Sequence, residues 1–443
     1  MQNSKMSFTD TLGLGFMTFA FFLGAGNLIF PPLAGFLAGE NMSLAMLGFL
    51  LTAVTLPLIT LIAVAKANGK VMGLLPTFAA TLFAISIYII IGPAFAAPRA
   101  GLVAYEMGYK PFIADSSTTF ELAGIVLNSS QLLYTIIFFG LAMVLSLFPG
   151  KLLDSVGKIL TPIMILLLVG LAISVLVLPG SDVGQAIGEY QSNPLTKGIL
   201  EGYNTMDTLA SLIFGMLIID ILRKKGIDSP KEQTKYLVRA ALIAAGGLAF
   251  VYISLFYLGA SAGDLAAGAD NGGIILTNYV NMHFGDLGQL LLAMVVTLAC
   301  LTTVVGLVSA CAEYFNELMP TLSYRLLVVV MSLACATVAN VGLAELINIS
   351  IPVLVTVYPV AIALVAVTYL TELFPRPALA HRVVLSVALL FGLIDGMKAA
   401  GLDMSTFNGM PLHAEGMAWL LPTVITIFIC LMVKGPKAEA VLN

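Results

Sequence analysis

Gly24-Ala25-Gly26-Asn27 stands in the middle of an apolar run from Phe8 to Ala38, and Pro31-Pro32 follow a turn later. Gly disfavours helix by about 1 kcal/mol and Pro by about 3. Backbone freed at bilayer depth costs several kcal/mol per group unless protein, water or a ligand satisfies it. Breakers at that depth therefore imply a use for bare peptide groups. A second apolar run, Leu200 to Asp220, carries Gly202, Asn204, Thr205 and Asp207. The chemistry on offer is the binding of ions and dipoles. The carbonyl-rich end of a half-helix favours a cation and the N–H-rich end an anion. An α-amino acid carries both charges close together, so a crossed pair of broken helices suits it, and a sodium ion can share the carbonyls. Plainer uses stay open at these positions: close helix packing for the glycines, and N-capping by Asn27 and Asp207. Capping and ligand binding are not exclusive.

Membrane-spanning helices must position these groups. Of 443 residues, 59% are hydrophobic and 10% charged, against about 25% charged in soluble domains. The chain is an integral membrane protein. Apolar segments long enough to span occur twelve times: near 8–38, 42–66, 74–106, 130–148, 152–178, 195–222, 236–260, 287–318, 323–343, 349–371, 381–397 and 416–434. The first and sixth are the interrupted ones. Breaks at corresponding positions of two halves point to an inverted repeat. The expected fold is an all-α membrane protein, one transmembrane domain over 1–443. It comprises a five-plus-five repeat (8–178 and 195–371) with discontinuous helices one and six, and helices eleven and twelve (381–434) outside it. The gaps near 107–129 and 261–286 have room for short surface helices.

Sixteen of the 20 Lys and Arg residues fall on one side when the N-terminus is placed in the cytoplasm; Arg99, Lys110, Lys197 and Lys398 are the outward four. By the positive-inside rule both termini of this multi-pass protein are cytoplasmic. The apolar run after Lys5 is too long for a cleaved leader and lacks an A-x-A site, so it reads as a retained span. Cys300, Cys311, Cys335 and Cys430 have no metal or disulfide spacing, and His283, His381 and His413 do not cluster. No HExxH, Ser-His-Asp set or carboxylate dyad favours a membrane enzyme. A channel filter would need symmetric copies, ATP-driven transport a GxxxxGK[ST] loop, and nucleic-acid binding a basic stripe. None is present. No cofactor and no obligate protein partner is expected; the partners are the bilayer, a small solute and a monovalent cation.

GAGNLIFPP (24–32), GPAFAAPRA (92–100), GKILTP (157–162) and YNTMDTLASLIFG (203–215) together resemble the bacterial branched-chain amino acid:cation symporter family, over essentially the whole chain. The resemblance implies the five-plus-five fold and uptake of leucine, isoleucine and valine driven by a cation, Na+ or else H+. Uptake of another neutral hydrophobic solute is the alternative. It also implies rocking of spans one, two, six and seven around a midplane site. By similarity to sodium-coupled relatives of the wider fold, ACLTT (299–303) would supply Thr302 and Thr303 hydroxyls to sodium, with backbone oxygens of Ala299, Ala20 and Leu23. The other reading is that both hydroxyls bond back to their own helix. The same match sets Ala25, Gly26 and Asn27 at the substrate carboxylate, and Tyr203, Asn204, Thr205 and Asp207 at its ammonium or a second cation. Asp207 departs from the sodium-coupled pattern. Ligand pairing, a proton and capping are its open roles, and an ionisable group at this depth is a functional position by default.

Two further charges lie within spans. Arg99 is read as an outer gate, a group attracting the carboxylate, or a chain snorkelling to headgroups. Lys158 is read as snorkelling to the inner face or, as the resemblance to proton-coupled relatives implies, as an ammonium standing where sodium would sit. An aliphatic pocket has candidates in Phe21, Tyr88, Ile91, Leu209 and Phe214, each equally explained by core packing.

Overall fold

The computed structural model describes residues 6–113, 118–122, 125–148, 161–178 and 180–433. Lys158 lies outside them. The protein is predominantly helical. Seven described helices are long and apolar enough to cross a membrane, and the pair Pro194–Tyr203 and Asp207–Lys224, bent by 43°, makes an eighth. Shorter apolar helices, among them Phe8–Phe22 and Leu420–Met432, accompany them.

The chain opens with α1 (Phe8–Phe22), started by a capping box in which Ser7 and Asp10 bond each other's backbone. Leu23 (φ −71°, ψ 80°) leaves the helical region and Gly24 is extended, so α1 stops and α2 (Ala25–Ala38) restarts. The unwinding is narrower than the breakers suggest. Gly26 is helical, and Pro31 and Pro32 sit inside a continuous α2. The second span combines α3 (Met42–Leu50), a π-turn over Leu51–Thr55 and α4 (Leu56–Lys66). The third is α5 (Thr77–Ile89) and α6 (Ala96–Gly108), separated by a π-turn and non-helical Gly92 (φ −85°, ψ −114°). This bend suits a segment longer than the bilayer requires.

The 107–129 gap corrects the all-α expectation. It holds a two-stranded antiparallel sheet, β1 (Thr119–Leu122) and β2 (Ile125–Asn128), with Thr119 opposite Asn128. The Thr-Phe and Ile-Val pairs in it are the strand-favouring types. α7 (Ser129–Ser146), α8 (Thr161–Val177), α9 (Pro194–Tyr203) and α10 (Asp207–Lys224) follow. Asn204 to Met206 interrupt α9 and α10, with Met206 in the left-handed region (φ 64°, ψ 9°). After α11 (Pro230–Ala260), the 261–286 gap contributes a 3-10 turn at Gly263–Ala266 and the start of α12 (Gly272–Leu318), which bends at Gly285. α13 (Tyr324–Val338), α14 (Leu343–Leu370), α15 (Pro377–Ala399) and α16 (Leu420–Met432) complete the chain.

Both halves of the first broken span pack on α11, and both halves of the second pack on α3 and α4. Glycines permit this closeness. A methyl on Gly35 would strike the Phe256 carbonyl, and one on Gly259 the Pro32 carbonyl. Gly48 and Gly198 do the same between α3 and α9. The packing reading of membrane glycines thus holds for these four. It does not hold for Gly24, where the nearest side-chain atom to an added methyl is Thr303 Cγ2 at 3.4 Å.

Candidate functional site

With α1 ended at Phe22, its last carbonyls lose their intrahelical partners, and the first N–H groups of α2 face the other way. Asn27, third in α2, turns back and accepts a hydrogen bond from the Gly24 N–H at 2.9 Å. Its amide nitrogen donates to Asp207 Oδ2 at 2.8 Å and also to the Tyr252 hydroxyl. Tyr252 in turn donates to Asp207 Oδ2 at 2.9 Å. All three residues are buried. Neither Asn27 nor Asp207 is the N-cap of its half-helix: Gly24 and Met206 hold those positions, and no side chain caps α10. Asn27 bonds back to Gly24 from the third position of α2, and its bond to Asp207 ties the two breaks together. Two donors, the Asn27 amide and the Tyr252 hydroxyl, thus converge on one carboxylate oxygen, and Asp207 lines a cavity between the breaks.

Within the second break, the Thr205 hydroxyl donates to the Gly202 carbonyl at 2.9 Å and accepts from the Asp207 N–H at 3.4 Å. The side chains of Tyr203 and Asn204 turn away. The Tyr203 ring stacks on Tyr358 with centroids 4.3 Å apart, and the Asn204 amide donates to Glu201. Of the predicted substrate contacts, the structure brings Ala25, Gly26, Asn27, Thr205 and Asp207 to one cavity, and leaves Tyr203 and Asn204 off its wall. The Asn204 contribution is its backbone carbonyl, 3.3 Å from where a Gly26 methyl would stand.

Arg99 begins the second turn of α6 after the Gly92 irregularity. It does not snorkel: it is 2% exposed and lines the same cavity. Its guanidinium lies 5.1 Å over the Phe30 ring. Nε and Nη1 are buried without a hydrogen-bond partner among the described residues.

The cavity measures about 30 Å³, room for one or two waters at roughly 10–15 Å³ each. Phe21, Ile91 and Phe214 line it, with Phe21 stacked on Phe214 at 5.3 Å. Ala96, Ala100, Ala210 and Leu307 complete its apolar side. Tyr88 instead stacks on Tyr314 at 4.1 Å, and fully buried Leu209 packs in the core. A larger cavity of about 250 Å³ between α8 and α12, walled by Leu167, Leu171, Phe284 and Leu292 among others, has no charged side chain.

The predicted cation ligands divide. Thr303 is buried, its hydroxyl has no partner among the described residues, and it stands beside Gly24 at the first break. The Thr302 hydroxyl donates back to the Ala299 carbonyl at 2.9 Å, the packing alternative. Ala20, Leu23 and Ala299 are buried around the end of α1 and the facing turn of α12. Among the described residues no group of His, Cys, Asp and Glu has metal-ligand geometry.

Two features were not legible in the sequence. Tyr252 sits in an unremarkable apolar stretch of α11, and only the fold brings it to Asp207. His413, in the loop between α15 and α16, is 1% exposed and stands 3.7 Å from buried Asp395, away from the cavity.

Two helices interrupted within the apolar core, with breaks bonded across one small charged cavity, define a membrane transport protein. The chain belongs to the branched-chain amino acid transport protein family, whose model matches residues 7–437. It is 46% identical to the branched-chain amino acid transport system 2 carrier protein of Pseudomonas aeruginosa, over 98% of both chains. It is 39% identical to the branched-chain amino acid permease BrnQ of Escherichia coli K12, over 96% of this chain and 95% of that one. These relatives are carriers and permeases, and the chain is not an enzyme. Its fold is similar to that of a Na+-coupled sialic acid symporter (TM-score 0.59, 12% identity, 97% of this chain and 91% of that one). It is also similar to MhsT in complex with L-phenylalanine (TM-score 0.53, 14% identity, 97% and 99% covered).

Proposed function

We propose that the protein takes up leucine, isoleucine and valine by symport with a monovalent cation, Na+ in the first instance. The observation that carries this reading is the Asn27–Asp207 bond, which joins two helix breaks around a cavity with charged and apolar walls. Backbone N–H groups at Ala25, Gly26 and Asn27 receive the carboxylate, and Asp207 the ammonium. Phe21, Ile91 and Phe214 receive the aliphatic side chain. The coupling cation is held by Thr303 and the carbonyls of Ala20, Leu23 and Ala299, with Thr302 joining by turning its hydroxyl from Ala299. Proton coupling through Lys158 is the second reading.

The repeat is supported by how helices pair. Counting α1 with α2 as span one and α9 with α10 as span six, span one packs on span seven and span six on span two. Span five (α8) packs on spans seven, one and eight; span ten (α14) packs on spans two, six and three. Within this set of pairs, adding five to each member, in cyclic order, returns another of the set. That is the behaviour of two five-helix halves related by a twofold axis. With α15 and α16 the described helices are consistent with twelve spans in one transmembrane domain. The bias of Lys and Arg supports cytoplasmic termini and a bacterial inner membrane. Spans one, two, six and seven rock against the rest.

The test is uptake of labelled leucine into proteoliposomes under separately imposed sodium and proton gradients. Accumulation driven by sodium alone is expected. Uptake indifferent to sodium but lost in Lys158→Ala overturns the sodium assignment, and no leucine uptake under either gradient overturns the substrate reading.

A further inference from the structure

Arg99 and Asp207 are both buried, face one cavity, and do not form an ion pair with each other. That arrangement is costly. A charge held in the membrane interior without a counter-charge costs several kcal/mol. Asp207 is partly compensated by Asn27 and Tyr252. Arg99 lies over the face of Phe30, a cation–π contact, and its Nε and Nη1 have no hydrogen-bond partner among the described residues. A methyl on Gly26 would be 2.9 Å from Arg99 Nη2 and 3.2 Å from Thr205 Cα. Nη2 thus points at the gap between the breaks, beside the N–H end of α2.

We infer that Arg99 and Asp207 form a split charge pair that reads both ends of a zwitterion, with Arg99 as the anchor of the carboxylate. The inference rests on the reading that this cavity takes an amino acid. A lone anion would answer Arg99 and oppose Asp207; a lone cation would do the reverse. Only a ligand that is neutral overall, with adjacent opposite charges, compensates both at once. The guanidinium adds a planar, two-donor fork to the backbone N–H groups of α2. The site therefore selects α-amino acids against their α-keto acids and against amides of the same side chain. The first lack the ammonium that Asp207 needs, and the second lack the carboxylate that Arg99 needs. Side-chain size is read separately, by Phe21, Phe214 and Leu307 on the apolar wall.

The experiment measures binding, not transport, on the purified full-length protein in detergent. The ligands are leucine, leucinamide and 4-methyl-2-oxopentanoate, and each protein's melting temperature is recorded without ligand. Wild type is expected to prefer leucine to both analogues by roughly 10- to 100-fold, the range for one hydrogen-bonded charge. In Arg99→Gln the preference for leucine over leucinamide collapses while leucine over the keto acid persists. Asp207→Asn reverses the two results. Arg99→Lys, which keeps the charge but loses the fork, binds leucine less tightly than wild type and leucinamide unchanged. It serves as the folded variant should Arg99→Gln melt early. Equal leucine affinity in wild type, Arg99→Gln and Arg99→Lys overturns the inference. So does a loss of leucine and leucinamide by the same factor at unchanged melting temperature, since Arg99 would then only shape the wall. A wild type that binds no leucine overturns instead the functional reading beneath it.

Discussion

Tyr252 donates to the carboxylate of Asp207 at 2.9 Å from a helix that belongs to neither break. The same hydroxyl receives the Asn27 amide. α11 thus supports the first broken span along its length and fixes the key residue of the second.

Removing that hydroxyl isolates its role. Tyr252→Phe deletes one of the two donors on Oδ2, and a hydrogen bond to a charged group is worth about 1.5–3 kcal/mol. We expect the KM for leucine to rise by roughly tenfold with kcat less affected. Tyr257→Phe, on an exposed face of the same helix, is expected to leave uptake unchanged. Matching kinetics for the two variants would make the bond incidental.

Thr302 and Thr303 are adjacent but do different things. Thr303→Ala removes a hydroxyl that stands beside Gly24 without a partner, so the sodium concentration for half-maximal uptake is expected to rise at least several-fold. Thr302→Ala removes one engaged with Ala299 and is expected to cause the smaller shift. Sodium-activation curves of both variants in proteoliposomes check the order; the reverse order would move the cation site to the other face of α12.

Gly26→Ala should improve helix propensity by about 1 kcal/mol and still abolish transport. The added methyl meets Arg99 Nη2 at 2.9 Å and backbone of the second break at 3.2 Å. Gly13→Ala, with nothing within 4 Å, is the control. Normal yield with lost uptake for the first, and normal uptake for the second, is the expected pair of results.

Met206 holds a left-handed conformation that costs an L-residue about 1–2 kcal/mol. Met206→Leu keeps bulk and flexibility at χ1 and should melt near wild type. Met206→Ile brings a β-branch to positive φ, where branched residues are outliers, and should melt several degrees lower. Thermal unfolding in detergent ranks them, and equal melting would show that the break relaxes to another backbone conformation.

The breaks were legible because Gly, Asn and Thr interrupt otherwise apolar runs, and a bilayer penalises that unless it is used. Their exact extent was not. Whether a helix stops at Leu23 or at Gly26 depends on where the Asn27 amide finds its two acceptors, and these come from α10 and α11. Thr302 and Thr303 illustrate the same limit: neighbours on a helix point about 100° apart, so only one can face a given break. Arg99 was undecided because an arginine within a span turns outward or inward according to neighbours far away in sequence. Tyr203 stands off the cavity because its ring stacks on Tyr358, some 150 positions on. The β1–β2 hairpin leaves no mark in hydropathy, which shows only a gap between spans, although Thr, Phe, Ile and Val are plain strand formers.

Gly35 and Gly259, each set against the other helix's carbonyls, bear on how the protein is made. When the ribosome has finished α1 and α2, the surface those glycines fit does not yet exist; it is synthesised more than two hundred residues later, in α11. The first span must wait in the lipid, half-helices joined by a bare peptide hinge, until the second half of the chain arrives to clasp it. Neither half is a self-sufficient folding unit, and a chain cut between them would regain its shape only by the two fragments finding one another in the bilayer.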